Sequence, residues 1–427
     1  MKHDQDNAQK AKYILIIIFV LISLSLFLND LISFINLKQL VWEPPTIVPV
    51  LKPVGDDFRV GWYRPAISIL RGQNPYLSGD DYPPLVTVMA LPFAATLPET
   101  PAYLVQVAIL VILNLATLYL SVKISIETFL KGALSTEMLV VSTSLFFLVL
   151  IMHFSSYGFL FSIERGNCDA YAIFFSVLGL WLLVMMPDKM LLQILCISIA
   201  THIKIYPAVL FLLIFWKHRW KFLLPTIGIN TAFALILGID NFKLFIQSLF
   251  AYSNELYAWV GNHSSLSFLF YLRTYLGNQS TNLPLAAYFI IFLTPIAIWI
   301  ASILLLIRGG YSETKAVWGL MISVPLMNVL PTISHDYKLI ILTVPLIMAL
   351  LILSKNYIFE RSLISLGLII AILVTFIFIT RSYVLLTPPF QNKWPFIVLF
   401  QLLLFLSLVN FKPRNEQKMI SEYLAPG

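Results

Sequence analysis

The sequence predicts an all-helical integral membrane protein, and three observations predict it. Of its 427 residues 59% are apolar and only 11% charged, with a mean hydropathy of +0.86. A soluble domain averages about 45–50% apolar and about 25% charged residues. Apolar runs of membrane-spanning length recur from end to end, and the positive residues gather at their ends. A net charge of +7 distributed in this way reports topology and contact with membrane lipids rather than nucleic acid. Cys168 and Cys196 both lie in or beside apolar segments, so no disulfide framework is expected.

The first run, 13–35, follows Lys2, Lys10 and Lys12. It is too long for a signal-peptide core and reads as a retained anchor. Further spans are expected at 101–122, 137–155, 168–186, 190–202, 205–216, 222–239, 284–307, 316–333, 338–353, 362–380 and 394–411. That makes about twelve helices in one domain over 1–411, followed by a polar tail at 412–427. Runs 190–202 and 205–216 are short and flank Thr201-His202-Ile203-Lys204, the pattern of two half-length helices meeting at a polar break. Region 83–97 begins with Pro83-Pro84 and contains Pro92, so an interfacial or re-entrant piece is expected there.

With the N-terminus inside, the clusters Lys123/Lys131, Lys217/Arg219/Lys221, Arg308/Lys315, Lys355/Arg361 and Lys412/Arg414/Lys418 all fall on the inner side. Both termini are then cytoplasmic, and a plasma (inner) membrane is expected. The long first loop (36–100), 164–167, Lys204, 240–283 and 334–337 fall together on the outer face.

The outer segments hold the residues with chemical potential. Asp56 and Asp57 precede Trp62-Tyr63-Arg64-Pro65, and Pro65 and Gly72 bracket an expected surface helix at 65–71. An aspartate beside the membrane can take a proton from an acceptor hydroxyl; a solvated loop carboxylate and a snorkelling Arg64 explain the same residues. Asp80-Asp81-Tyr82-Pro83-Pro84 reads as a turn, or as a weak divalent-cation site. Glu164-Arg165-Gly166-Asn167-Cys168-Asp169 crowds polar side chains between two spans, and an Arg–Glu pair with a capped helix accounts for it structurally. Lys204 lies where an ionisable group is costly, so it lines a polar cavity, meets a phosphate, or snorkels. Asn262 with Ser264 suits helix capping. In Ser334-His335-Asp336-Tyr337-Lys338, His335 orients an acceptor, donates to phosphate or relays a proton, or else merely ends a helix.

Together these residues resemble a known family. Asp57-Phe58, Gly72-Gln73-Asn74-Pro75-Tyr76 and Tyr82-Pro83-Pro84-Leu85 are similar to the first outer loop of glycosyltransferase family 87, which includes bacterial polyprenol-phosphate-mannose-dependent mannosyltransferases. Arg165-Gly166-Asn167 with Asp169, Lys204-Ile205-Tyr206-Pro207, Gly261-Asn262-His263-Ser264-Ser265-Leu266 and Ser334-His335-Asp336-Tyr337 resemble its later motifs in order. The family often carries Gln where this chain has His263.

The resemblance implies a GT-C fold with a catalytic aspartate in the first extracytoplasmic loop. It implies transfer of a hexose such as mannose, with inversion, from a polyprenyl-phosphate donor to a lipid or glycan acceptor in glycolipid biosynthesis. Asp57 would be the general base, with Asp56 one position away as the open alternative, and His335 would serve near the acceptor. Lys204 would bind the donor phosphate, aided by Arg165 or Arg64. Asp56, Tyr82, Asn167, Asn262 and Asp336 would line the substrate site, and no cofactor or metal is expected. A transporter or flippase of lipid-linked sugars is the rival reading, because broken helices with a buried lysine also mark transporters. A noncatalytic scaffold for lipid-linked sugars is a third.

Overall fold

The computed structural model describes residues 55–78, 82–130, 136–253, 285–308, 310–331, 333–360 and 363–380, with 262–265, 267, 398–399 and 402–403. The expected spans at 13–35 and 394–411, the acidic pair Asp80/Asp81 and the tail 412–427 lie wholly or almost wholly outside the described residues.

Helices stand where the apolar runs are. They are α1 (Asp56–Phe58), continued through a π turn at Arg59–Tyr63 into α2 (Arg64–Leu70), then α3 (Pro84–Thr96) and α4 (Glu99–Ser125). α5 (Thr136–Phe154), α6 (Tyr157–Arg165), α7 (Asp169–Met185) and α8 (Met190–Ile203) come after these. Next are α9 (Phe211–His218), α10 (Leu223–Ala234), α11 (Ile239–Ser253) and α12 (Leu285–Ile307). The last described helices are α13 (Glu313–Val329), α14 (Thr343–Glu360) and α15 (Leu363–Thr380). The described residues form no strand, only one isolated bridge between Asn262 and His335.

Among the described residues two helices are long and apolar enough to cross a membrane, or up to four if each bent pair is one span. Others are shorter than the runs suggested. α3 has 13 residues and runs straight through Pro92, which at about 1.5 Å per residue falls short of a bilayer core of about 30 Å. Two departures concern breaks. The surface helix expected at 65–71 is the end of a longer one beginning at Asp56. Most of α6 falls on residues assigned to no element from the sequence, and the helix is bent 52° from α5. Ser156 caps it by accepting from Phe159 N at 3.1 Å, a short-range signal hidden among apolar neighbours.

The packing is that of a membrane protein. α4 exposes Leu104, Ile112, Leu115 and Tyr119 while burying Gln106, Asn114, Thr117 and Ser121. In water this arrangement is inverted; in lipid, polar side chains face inward to find partners. His153 of α5 is held between Asn114 Oδ1 of α4 (3.0 Å) and Thr343 Oγ1 of α14 (3.2 Å), tying three helices together. Residues 316–329 of α13 are buried on every side, and so are residues 336–354 of the helical stretch that follows. These two segments form the centre. α7 and α8 pack side by side and antiparallel, which brings the start of α7 and the end of α8 to the same end of the molecule.

Candidate active site

That end gathers most of the outer segments that the sequence singled out. Gly55, at φ 82, donates its N–H to Glu164 O at 2.7 Å and so docks the first turn of α1 on the end of α6. Tyr103 of α4 donates to Ile163 O at 2.8 Å and braces the same corner. Gly166, at φ 66, ends α6 in the left-handed conformation, and a Cβ added there would sit 2.7 Å from Phe58 Cβ. Only glycine lets the chains approach this closely while turning this way.

The close approach places Asp57 between two side chains more than a hundred residues distant. Its Oδ1 accepts from Arg165 Nε at 2.8 Å and also from Arg165 Nη2, and its Oδ2 accepts from Asn167 Nδ2 at 2.8 Å. Asn167 Oδ1 accepts from Asp169 N at 3.0 Å, and that bond turns the Asn167 amide so that its NH2 faces Asp57. Asp56 binds Arg59 Nη2 at 2.9 Å and Arg165 Nη2 at 3.2 Å. The structural expectation of an Arg165–Glu164 pair is therefore replaced by pairs with Asp57 and Asp56, which backbone docking presents to the guanidinium.

Arg64 is exposed and enters no ion pair among the described residues. In an unbroken α-helix residue 64, seven positions on, would share a face with Asp57. The π turn at Arg59–Tyr63 adds about one residue to the turn and rotates the rest of the helix by about 100°. Arg59, which sequence reasoning passed over, takes the place beside the aspartates.

Lys204 is extended (φ −142, ψ 132) at the break after α8. Its Nζ lies 4.4 Å from the centroid of the Tyr82 ring and 3.4 Å from the Tyr82 hydroxyl. Tyr82 packs against Gly61, where any Cβ would strike the ring. The charge of Asp57 acts on both Lys204 and Tyr337.

The third piece is a junction of two distant segments. Asn262 Oδ1 accepts from Ser334 N (2.8 Å) and Ser264 N (3.1 Å), while His263 N donates to Ser334 O (2.6 Å). His263 Nε2 and Asp336 Oδ1 are 2.6 Å apart and both are buried. Asn262 and Asp336, expected to line the substrate site, are thus turned into the protein and hold the segment that carries His335. His335 caps the 3-10 turn Asp336–Leu342 and packs against Tyr337, with ring centroids 5.3 Å apart.

Desolvation pushes His335 down to about 3, and the positive charges of Arg165, Lys204 and Lys338 push the same way. It is therefore a neutral imidazole at physiological pH. Its folded pKa lies below its ordinary 6.5, so between those values the unfolded chain binds a proton that the folded chain refuses. The stability that depends on neutral His335 is full above about pH 6.5 and is lost as pH falls toward about 3. Thermal melts of the purified protein from pH 7 to pH 4 should fall less steeply for His335→Gln than for wild type. Parallel slopes would show that His335 is not desolvated.

No group of three or more metal-ligating side chains occurs among the described residues. Comparison with curated proteins and with solved structures finds no match. The family model of glycosyltransferase family 87 matches residues 81–325, more than half of the chain, and the chain belongs to that family.

Proposed function

We propose that this membrane glycosyltransferase moves a sugar, a hexose such as mannose, from a polyprenyl-phosphate donor to a lipid or glycan acceptor on the outer face of the plasma membrane, with Asp57 as general base. The observation that carries the reading is the holding of Asp57 by Arg165 and Asn167 beside Lys204 and Tyr82. Arg165 and Asn167, which lie inside the family match, hold Asp57, which lies outside it, and Lys204 and Tyr82 also lie inside the match. A GT-C architecture with an extracytoplasmic site fits this gathering of polar loops at one end of a helical bundle.

The acceptor hydroxyl attacks C1 of the sugar and gives its proton to Asp57. The C1–O bond to the phosphate breaks, its electron pair leaves on the phosphate oxygen, and attack from the opposite face inverts C1 once. Lys204 offsets the charge that develops on the phosphate. Arg165 already spends Nε and Nη2 on the aspartates, so its main part is to position the base. Neutral His335 offers a hydrogen bond to the acceptor or to the sugar rather than a charge. No step calls for a redox cofactor or a metal. Family membership favours the transferase over the transporter reading.

The test is sugar transfer by purified protein, offering a panel of radiolabelled polyprenyl-phosphate sugars and, in parallel, nucleotide sugars, with membrane lipids and glycolipids as acceptors. Transfer from a polyprenyl-phosphate sugar with inverted linkage supports the proposal. Transfer from nucleotide sugars alone sinks the donor assignment.

A further inference from the structure

One buried charge at this site has no part in the chemistry described so far. Lys338 is only 5% exposed, and its Nζ sits 4.3 Å from the centroid of the Tyr206 ring. Among the described residues neither Lys338 nor Lys204 forms an ion pair with a carboxylate; each rests on a tyrosine face instead. A buried ammonium without a counter-charge costs several kcal/mol even after the protein relaxes, so a fold that keeps two of them gains by it elsewhere.

The nearby anions are already engaged. Asp57 is paired with Arg165, Asp56 with Arg59 and Arg165, and Asp336 is hydrogen-bonded to His263. Asp169 is the carboxylate whose field reaches both lysines. Its Oδ1 accepts from the Tyr206 hydroxyl at 2.6 Å, under the ring that carries Lys338, and its Oδ2 is buried without a partner. Neither lysine reaches a carboxylate at ion-pair distance among the described residues, so an anion entering here meets two buried ammonium groups that rest only on tyrosine rings. His335 adds no charge, being neutral.

From this juxtaposition we propose that Lys338 is a second phosphate-binding lysine, which acts with Lys204 on the leaving group of the transfer. The proposal rests on the donor reading above. A phosphodiester donor brings one negative charge to these two ammonium groups. As the C1–O bond breaks, the phosphate becomes a monoester and gains a second negative charge, while Asp57 takes up the acceptor's proton and ceases to answer Arg165. Positive charge at the site thus rises by one at the same moment as negative charge on the phosphate. Lys338 contributes most to the doubly charged product and less to the ground state, which is the condition for lowering a barrier.

The experiment measures binding of farnesyl phosphate, a monoester, and of its methyl diester to the full-length protein at pH 7.5 by tryptophan fluorescence. Wild type is compared with Lys338→Met, Lys338→Gln and Lys338→Arg. Lys338→Met should weaken monoester binding about tenfold or more and diester binding much less, and Lys338→Arg should retain most of the affinity. The melting temperature of Lys338→Met should hold or rise, since an unpaired buried charge has been removed; a merely structural lysine would lower it. Should that variant not fold, Lys338→Gln reads the same difference. Wild-type affinity for both esters in a folded Lys338→Met overturns the proposal and leaves the donor reading standing. Failure of wild type to bind either ester overturns both.

Discussion

Asp57→Asn should lower turnover by about 10²- to 10⁴-fold, the range by which a positioned general base contributes. The substitution keeps the shape of the side chain and removes its ability to take a proton. Its new amide must also place one NH2 group where a carboxylate oxygen was. If the amide oxygen stays with Arg165, the amide NH2 meets the NH2 of Asn167, which Asp169 N holds in place. Some loss of stability should therefore accompany the loss of turnover, and the melt must be recorded beside kcat and KM. Asp56→Asn is the matched control. Asp56 binds the same Arg165 and in addition Arg59, and it is buried where Asp57 is partly exposed. The Asp56→Asn protein should retain turnover within about tenfold. The reverse ranking, with Asp56→Asn inactive and Asp57→Asn active, would assign the base to Asp56.

Gly166→Ala should have the second largest effect, on both stability and activity. An L-residue at φ 66 costs about 1–2 kcal/mol. The added methyl would also lie 2.7 Å from Phe58 Cβ, an atom fixed to the backbone that cannot swing aside. Relief requires α1 to lift off the end of α6, and Asp57 moves with Phe58 away from Arg165 and Asn167. Gly72→Ala separates the two causes. Gly72 has nearly the same backbone angle, φ 70, with nothing within 4 Å of the added carbon. It should show the backbone cost alone and leave turnover close to wild type. A Gly166→Ala protein with wild-type kcat would mean that the close approach to Phe58 does not position the base.

Much of the architecture is legible in the one-dimensional pattern. Most of the helices, the break at Lys204 and the turn at Gly166 come from apolar run length, from a charge interrupting such a run, and from a glycine among polar residues between two runs. Each of these is a property of a few consecutive residues. The site residues were legible as polar side chains crowded into the segments between runs, and their roles less so. Arg165 carries no mark in its neighbourhood that it belongs to Asp57, 108 positions earlier. Lys338 at the head of an apolar run looks like a residue that reaches out to water, yet the packing of the 3-10 turn turns it inward over Tyr206.

By itself, then, the sequence determined the solvent, the helices and the segments in which chemistry can occur, because burial in lipid imposes composition and periodicity on every stretch of chain. The tertiary structure alone decided which charges meet. It set Arg59 rather than Arg64 beside the aspartates through one π turn, and it paired His263 with Asp336. It also set Lys204 and Lys338 on the rings of Tyr82 and Tyr206. Pairing depends on the rotation and approach of helices far apart in the chain, and a single added residue in a turn or a missing Cβ changes both.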